Sequence, residues 1–287
     1  MCGVTALQTR PRVLSGADAT ALAALLDRDR VLNCVLASRL AHAPDLHQAR
    51  LGGPVWGVDD PETGDLRAAV FHGGNLIPVG RDVDCLAGIA QVLSRAGRAC
   101  SSIVGSAEAV SAMWPALSRG WGAPRAIRSS PPLLAISEPA RVRADVEVRP
   151  VRSEELPRFL PAAVAMFTEE LGVSPLGSDG GTAYRARVAE VISSGRAFAR
   201  FDADGRVEFK AEVGALSADT AQLQGVWVRP DLRARGLGTA AMATVLNHAL
   251  RLAPTVSLYV NDFNLPARRM YARLGMTQVG TLRTVLY

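Results

Sequence analysis

The stretch from Gln222 to Gly238 constrains the fold more than any other part of the chain. Val226 and Val228 are β-branched and flank Trp227, which predicts a strand, and Pro230 has no N–H for a ladder bond, which predicts its end. Arg233 and Arg235 follow, then Gly236 and Gly238. From Thr239 to Leu252, Ala241, Val245 and Ala249, with Met242, Leu246 and Leu250, recur at helical spacing. The order is therefore strand, arginine and glycine loop, helix. The first N–H groups of a helix have no intrahelical partner and sit at the positive end of its dipole, and glycines let an anion come close to them. A plain turn into a helix has the same local pattern, so this segment alone leaves both readings open.

Neither common nucleotide motif fits. A P-loop needs a lysine after its second glycine, and a Rossmann fingerprint needs a third glycine and an acidic residue about 20 positions on. The pattern R-x-x-G-x-G after V-x-V-x-P instead resembles motif A of the GNAT superfamily of N-acetyltransferases. Downstream come Pro254, a strand-like run from Val256 to Val260, and Asn264, Ala267, Tyr271, Leu274, Gly275 and Met276. These match the superfamily's N-x-x-A-x-x-x-Y-x-x-L-G-F/M signature. Asn264 is also a good N-cap and Gly275 a good residue after a helix end.

The resemblance implies a set of roles. The loop from Arg233 through Ala234, Arg235, Gly236, Leu237 and Gly238 to Thr239 would hold the pyrophosphate of acetyl-coenzyme A, the cosubstrate. Two parallel strands, Leu223 to Val228 and Val256 to Val260, would part around the pantetheine arm, with Val226, Trp227 and Val228 lining it and an amide near Val226 facing the thioester carbonyl. Asn264 and Ala267 would contact the arm. Tyr271 stands at the position of the general acid. Where many relatives carry a glutamate on the first strand, this chain has Gln222 and Gln224, which cannot take a proton. Glu169 and Glu170 are the next candidates for the base, because the family's acceptor wall is formed by the loop after the first helix; Glu212 and Asp262 are further carboxylates within range.

With 287 residues the chain suits two domains of ordinary size. The expected fold class is α/β, a mixed α+β sheet in two tandem GNAT-like domains: a degenerate one over 1–138 and a motif-complete one over 146–287. The first half reads as Arg12 to Leu14, helices from Ala19 to Leu26 and Arg30 to Leu40, and strands from Pro54 to Val58, Leu66 to Phe71 and Asn75 to Val79. Helices from Val83 to Arg95 and Ala107 to Leu117 enclose a strand from Ser101 to Val104, and Leu133 to Ile136 reads as its closing strand. This order resembles the same fold without its motifs, either as a degenerate duplicate that has lost coenzyme binding or as a different α/β module. Gly80-Arg81-Asp82 occupies the place of the phosphate loop, and an aspartate there is unfavourable to a diphosphate. In the second half, a strand is expected from Val146 to Arg149, helices from Leu156 to Phe167 and Tyr184 to Ser193 around a glycine-rich loop at 177–181, and strands from Ala197 to Phe201, Arg206 to Val213 and Thr281 to Leu286.

The basic residues are dispersed arginines, with Lys210 the single lysine, so a nucleic-acid surface is not expected. The cysteines, Cys2, Cys34, Cys85 and Cys100, lack metal-ligand spacing, so no metal is expected. Without a long apolar run, a cytoplasmic protein with no membrane partner is expected. The leading function is acetyl transfer to a primary amine of a small molecule or peptide, by a monomer or homodimer. A non-catalytic acetyl-coenzyme A sensor is the alternative, on account of the missing strand glutamate.

Overall fold

A computed structural model of the chain describes residues 10–177 and 180–287. Cys2 and the Ser178-Asp179 part of the predicted glycine loop lie outside them. In chain order the first elements are β1 (Arg12–Val13), α1 (Ala19–Asp27), α2 (Cys34–His42), α3 (Gln48–Leu51), β2 (Val55–Asp59), β3 (Leu66–His72), β4 (Asn75–Val79), α4 (Val83–Ala96), β5 (Ser102–Ser106), α5 (Ala107–Trp121), β6 (Ala126–Arg128) and β7 (Pro132–Ile136). They are followed by β8 (Arg149–Pro150), α6 (Leu156–Leu171), α7 (Thr182–Ser193), β9 (Ala197–Phe201), β10 (Val207–Leu216), β11 (Thr220–Val228), α8 (Leu237–Ala249), β12 (Thr255–Tyr259), α9 (Leu265–Leu274) and β13 (Thr277–Leu286).

The described residues form two compact units, 10–133 with Gln278–Tyr287, and Leu134–Thr277. In the first unit β1, β2, β3 and β4 are antiparallel, β5 runs parallel to β4, and β13 is antiparallel to β5. Leu86, Ile89, Ala90 and Leu93 recur on one side of α4, as Val110, Met113, Leu117 and Trp121 do on α5, so each helix lays an apolar stripe on the sheet. Val58, Val70, Leu76, Ile103 and Val285 meet those stripes. The other face of this sheet packs on α1 and α2 through Leu22, Leu25, Leu26 and Leu36.

In the second unit the strand order is β7-β12-β11-β10-β9-β8. One face carries α8 and α9, packed through Ala241, Met242, Val245, Leu246, Tyr271 and Leu274 on Phe209, Ala211, Val213, Leu223 and Val256. The opposite face carries α6 and α7, packed through Phe159, Ala163, Val188 and Ile192 on Ala197, Ala199, Val207 and Trp227. Val207 thus joins a different core from Phe209 despite their even spacing, because the register to β9 shifts between them.

Three expectations differ from the structure. The closing strands are exchanged: Leu134 and Ile136 of β7 are buried in the core of the second unit, while Val285 of β13 is buried in that of the first. The units therefore depart from the expected 1–138 and 146–287 at both ends. Period-two patterning states which side of a strand is apolar, not which sheet takes it. The strand expected from Val146 to Arg149 is only Arg149–Pro150, paired with Phe198 and Ala199, and Val146 is 88% exposed. Proline belongs to the strand because β8 lies at an edge, where no ladder N–H is needed.

The carboxylate of Glu155, 5% exposed, lies just before α6 and fixes the start of that helix. It accepts from Arg149 Nη1 at 2.8 Å and Nη2 at 2.7 Å, from the Arg152 amide at 2.9 Å and from Arg152 Nη2 at 3.2 Å. The Arg149 bonds, against the opposing effect of burial, hold its pKa at about 2, below the usual carboxylate range. Glu155→Gln is expected to lower unfolding free energy near neutral pH by about 2 kcal/mol, the scale of charge-assisted hydrogen bonds. The folded-state pKa is depressed, so this contribution is present above the ordinary carboxylate value and is lost as pH falls through about 2. Urea denaturation of wild type and variant should therefore converge in acid.

Candidate functional site

The loop before α8 is shaped by two left-handed residues. Ala234 has φ +59° and Gly236 φ +85°, so two left-handed residues alternate with Arg235 and Leu237. Such alternation turns successive N–H groups to one concave side. A left-handed alanine is strained, and strain of this kind gathers at binding sites. Gly236 is the N-cap of α8 and has no side chain to close the helix end. The amides of Arg235, Gly236, Leu237 and Gly238 find no backbone acceptor among the described residues, whereas those of Thr239 and Ala240 bond to Gly236 O at 3.0 and 3.3 Å. Arg235 is exposed, with no hydrogen bond or ion pair among the described residues. Arg233 is turned aside: its Nε donates to Val228 O at 2.9 Å and its Nη2 to Glu169 Oε2 at 2.6 Å.

The strand leading into this loop carries a bulge. Lys210 pairs with Trp227 and Glu212 with Gln224, so Ala211 alone faces both Gly225 and Val226. The extra residue changes the strand's parity. Leu223, Val226 and Val228 all turn to the α8 side, and Trp227 to the α6 side. Gly225 has φ +61°, and a Cβ there would lie 2.9 Å from Lys210 Nζ, so both backbone and space call for glycine. Lys210 Nζ donates to Gly225 O at 3.0 Å and pairs with Glu212 Oε1 at 2.7 Å, above the Phe159 ring at 5.3 Å. Beside the bulge, β11 and β12 are paired in parallel only from Thr220 to Gln222 with Thr255 to Ser257. Val226, Trp227 and Val228 thus lie on the length of β11 past its last β12 partner.

The remaining predicted residues come from α6 and α9. Asn264 Oδ1 caps α9, accepting from the Ala267 amide at 3.2 Å. Tyr271 is 5% exposed; burial, and then the charge of Glu170, push its phenol pKa well above the ordinary value. Glu170 is therefore within electrostatic reach of Tyr271, at the exposed end of α6. Glu169 is held by Trp227 Nε1 at 3.0 Å on one oxygen and by Arg233 on the other, so it links the end of α6 to the strand and the loop. Glu212 is engaged by Lys210, and its charge, after burial, raises the Tyr184 pKa to about 12. Sequence reasoning passed over Lys210, although a lone lysine among arginines was a visible signal.

The first unit repeats the parted strands and closes the space. β4 and β5 pair in parallel only at Asn75 with Ser102 and Leu76 with Ile103. Pro78 then stands against Gly105, where a Cβ would meet Pro78 Cγ at 2.7 Å, and proline offers no N–H. The N-terminus of α4 is capped by Asp82, which accepts from the Cys85 amide at 3.0 Å. That bond, with help from Arg67 at 2.6 Å, holds the Asp82 carboxyl below its usual range, so a negative charge fills the place of an anion.

No group of three or more His, Cys, Asp or Glu that could hold a metal occurs among the described residues. No helix among them is long and apolar enough to cross a membrane. Cys34, Cys85 and Cys100 form no disulfide among the described residues.

Residues 190–276 match the Acetyltransferase (GNAT) family, and residues 53–159 match DUF4081, a domain of unknown function. No curated protein matches the chain in sequence. Among solved structures, a GCN5-related N-acetyltransferase from Sphaerobacter thermophilus is 17% identical with a TM-score of 0.60, over 96% of this chain and 94% of that one. An acetyltransferase of the GNAT family from Colwellia psychrerythraea is 13% identical with a TM-score of 0.57, over 97% and 99%. A tandem GNAT protein from the clavulanic acid biosynthesis pathway is 15% identical with a TM-score of 0.53, over 96% and 98%. These likenesses are in fold: residues 190–276, inside the second unit, match the GNAT acetyltransferase family, and the chain has the mixed α/β fold of solved GNAT structures, a tandem GNAT protein among them.

Proposed function

We propose that the second unit is an acetyl-coenzyme A dependent N-acetyltransferase that acts on a primary amine of a small molecule or peptide by direct attack. One observation carries this reading: a helix N-terminus without a side-chain cap, with loop amides that find no partner among the described residues, follows a strand that parts from its parallel neighbour. Those amides, from Arg235 to Gly238, and the Arg235 guanidinium hold the pyrophosphate, with Thr239 at its edge. Arg233 braces the loop through Glu169. The parted strand presents Val226, Trp227 and Val228 to the pantetheine arm, with Asn264 and Ala267 on its other side.

In the transfer, the amine nitrogen bonds to the acetyl carbon as the carbon–sulfur bond breaks; the amine gives up a proton and the departing thiolate gains one. The Val226 amide donates to the carbonyl oxygen as charge develops there. Glu170, whose charge reaches Tyr271, attracts the cationic amine and takes one proton to leave it neutral and nucleophilic; the second proton, shed by nitrogen after attack, balances the one that the thiolate gains. The raised pKa of Tyr271 keeps its phenol protonated throughout the physiological range, so it can act there only as a donor, to the thiolate.

Gly236→Asp is expected to abolish acetyl-coenzyme A binding, because a left-handed aspartate places a carboxylate where the pyrophosphate sits. Calorimetric titration checks this: one site per wild-type chain and none for the variant, which should still unfold cooperatively, a little below wild type because a left-handed aspartate is strained. Two equivalent wild-type sites would contradict the closed strands and capped helix of the first unit. Tyr271→Phe keeps the packed ring and should lower the maximal transfer rate by on the order of 10², with acetyl-coenzyme A affinity nearly unchanged. Thiol release with a panel of primary amines provides the rate. Binding without transfer to any amine would favour the sensor reading.

A further inference from the structure

The buried charge of the second unit points to a device for activating the thioester carbonyl. Lys210 is the single lysine in a chain whose Lys and Arg together number 32, and it is fully buried. It does not serve as a solvated charge. Its ammonium meets a backbone carbonyl, Gly225 O, at 3.0 Å, and one counter-ion, Glu212, at 2.7 Å. An arginine's planar fork would not replace it, because the enclosed head group meets one carbonyl oxygen and one carboxylate oxygen, partners for a compact point charge.

Gly225 O and the Val226 N–H belong to one peptide unit. No cis peptide bond occurs among the described residues, so in this planar trans unit the carbonyl and the N–H point in opposite directions. The carbonyl turns to Lys210, and the N–H turns away from it. Gly225 and Val226 form the bulge, and neither has a register partner on β10. A cation at the carbonyl draws electron density through the conjugated peptide and makes the N–H at its other end a stronger donor, the more so where water is absent.

We infer that Lys210 is a positioning residue that acts through the Gly225 carbonyl: it fixes the bulge and polarises the Gly225–Val226 peptide, so that the Val226 amide activates the acetyl carbonyl. The inference rests on the acetyl-coenzyme A reading above. Glu212 is the counter-ion that allows Lys210 to be charged in the interior.

Infrared difference spectroscopy of acetyl-coenzyme A labelled with carbon-13 at the thioester carbonyl reads this directly and needs no acceptor amine. Titration of the wild type comes first, and absence of binding overturns the reading of the site and this inference with it. On bound wild type, the carbonyl band should lie below its frequency in water. Lys210→Met leaves Glu212 without its partner and risks misfolding, so the double variant Lys210→Met with Glu212→Gln, which removes both charges, is measured beside it. In a folded variant, affinity should stay within a few-fold while the band moves back towards its aqueous position. Maximal transfer should fall by roughly tenfold or more, somewhat less than loss of a whole oxyanion donor. Lys210→Arg should not restore the band. A band unchanged in the double variant, with binding retained, overturns the role of Lys210 while leaving the acetyl-coenzyme A site intact.

Discussion

Two parallel strands that pair over three positions and then part set the terms for the second unit. Past Gln222 and Ser257, backbone groups on β11 lose their β12 partners, and buried groups of that kind must find others. The unit meets this locally. A bulge at Gly225 turns one carbonyl to Lys210, and Glu169 gathers Trp227 and Arg233 at the far end of the strand. What is left without a partner among the described residues, the loop amides before α8, is also what a diphosphate requires.

The first unit poses the same problem and meets it with different side chains. Proline removes a donor at Pro78, Gly105 lets that ring fill the space between the strands, and Asp82 closes the helix end with its own carboxylate. Similar element order therefore yields one unit whose helix end has no side-chain cap and one whose helix end is capped by its own carboxylate. The chemistry of these units is decided by a few side chains at equivalent turns, and not by topology.

The parts of the site that could be read from sequence are those set by local backbone chemistry. Gly236, Gly238, Asn264 and Gly275 announce a loop, a cap and a helix end through neighbours a few residues away, and most helices and strands lie near their predicted positions. Long-range pairings left no such mark. The bulge depends on which residue of β10 opposes Gly225, so the meeting of Lys210 with that carbonyl was not legible, although its unusual residue type was. Nor could alternation in β7 or β13 say which sheet each joins. Glu169 and Glu170 were found together as neighbours, but only the fold separates the one tied to Arg233 from the one whose charge reaches Tyr271.

The exchange of closing strands has a bearing on how the protein is made. Arg283 of β13 bonds to Ser111 of the first unit across 172 positions of sequence, and Val285 lies in that unit's core. During synthesis the first unit exists for a long interval with β5 unpaired on one side and its core unfinished, a condition that favours association with other open edges. The sheet and core of the first unit are thus completed by residues translated after the entire second unit.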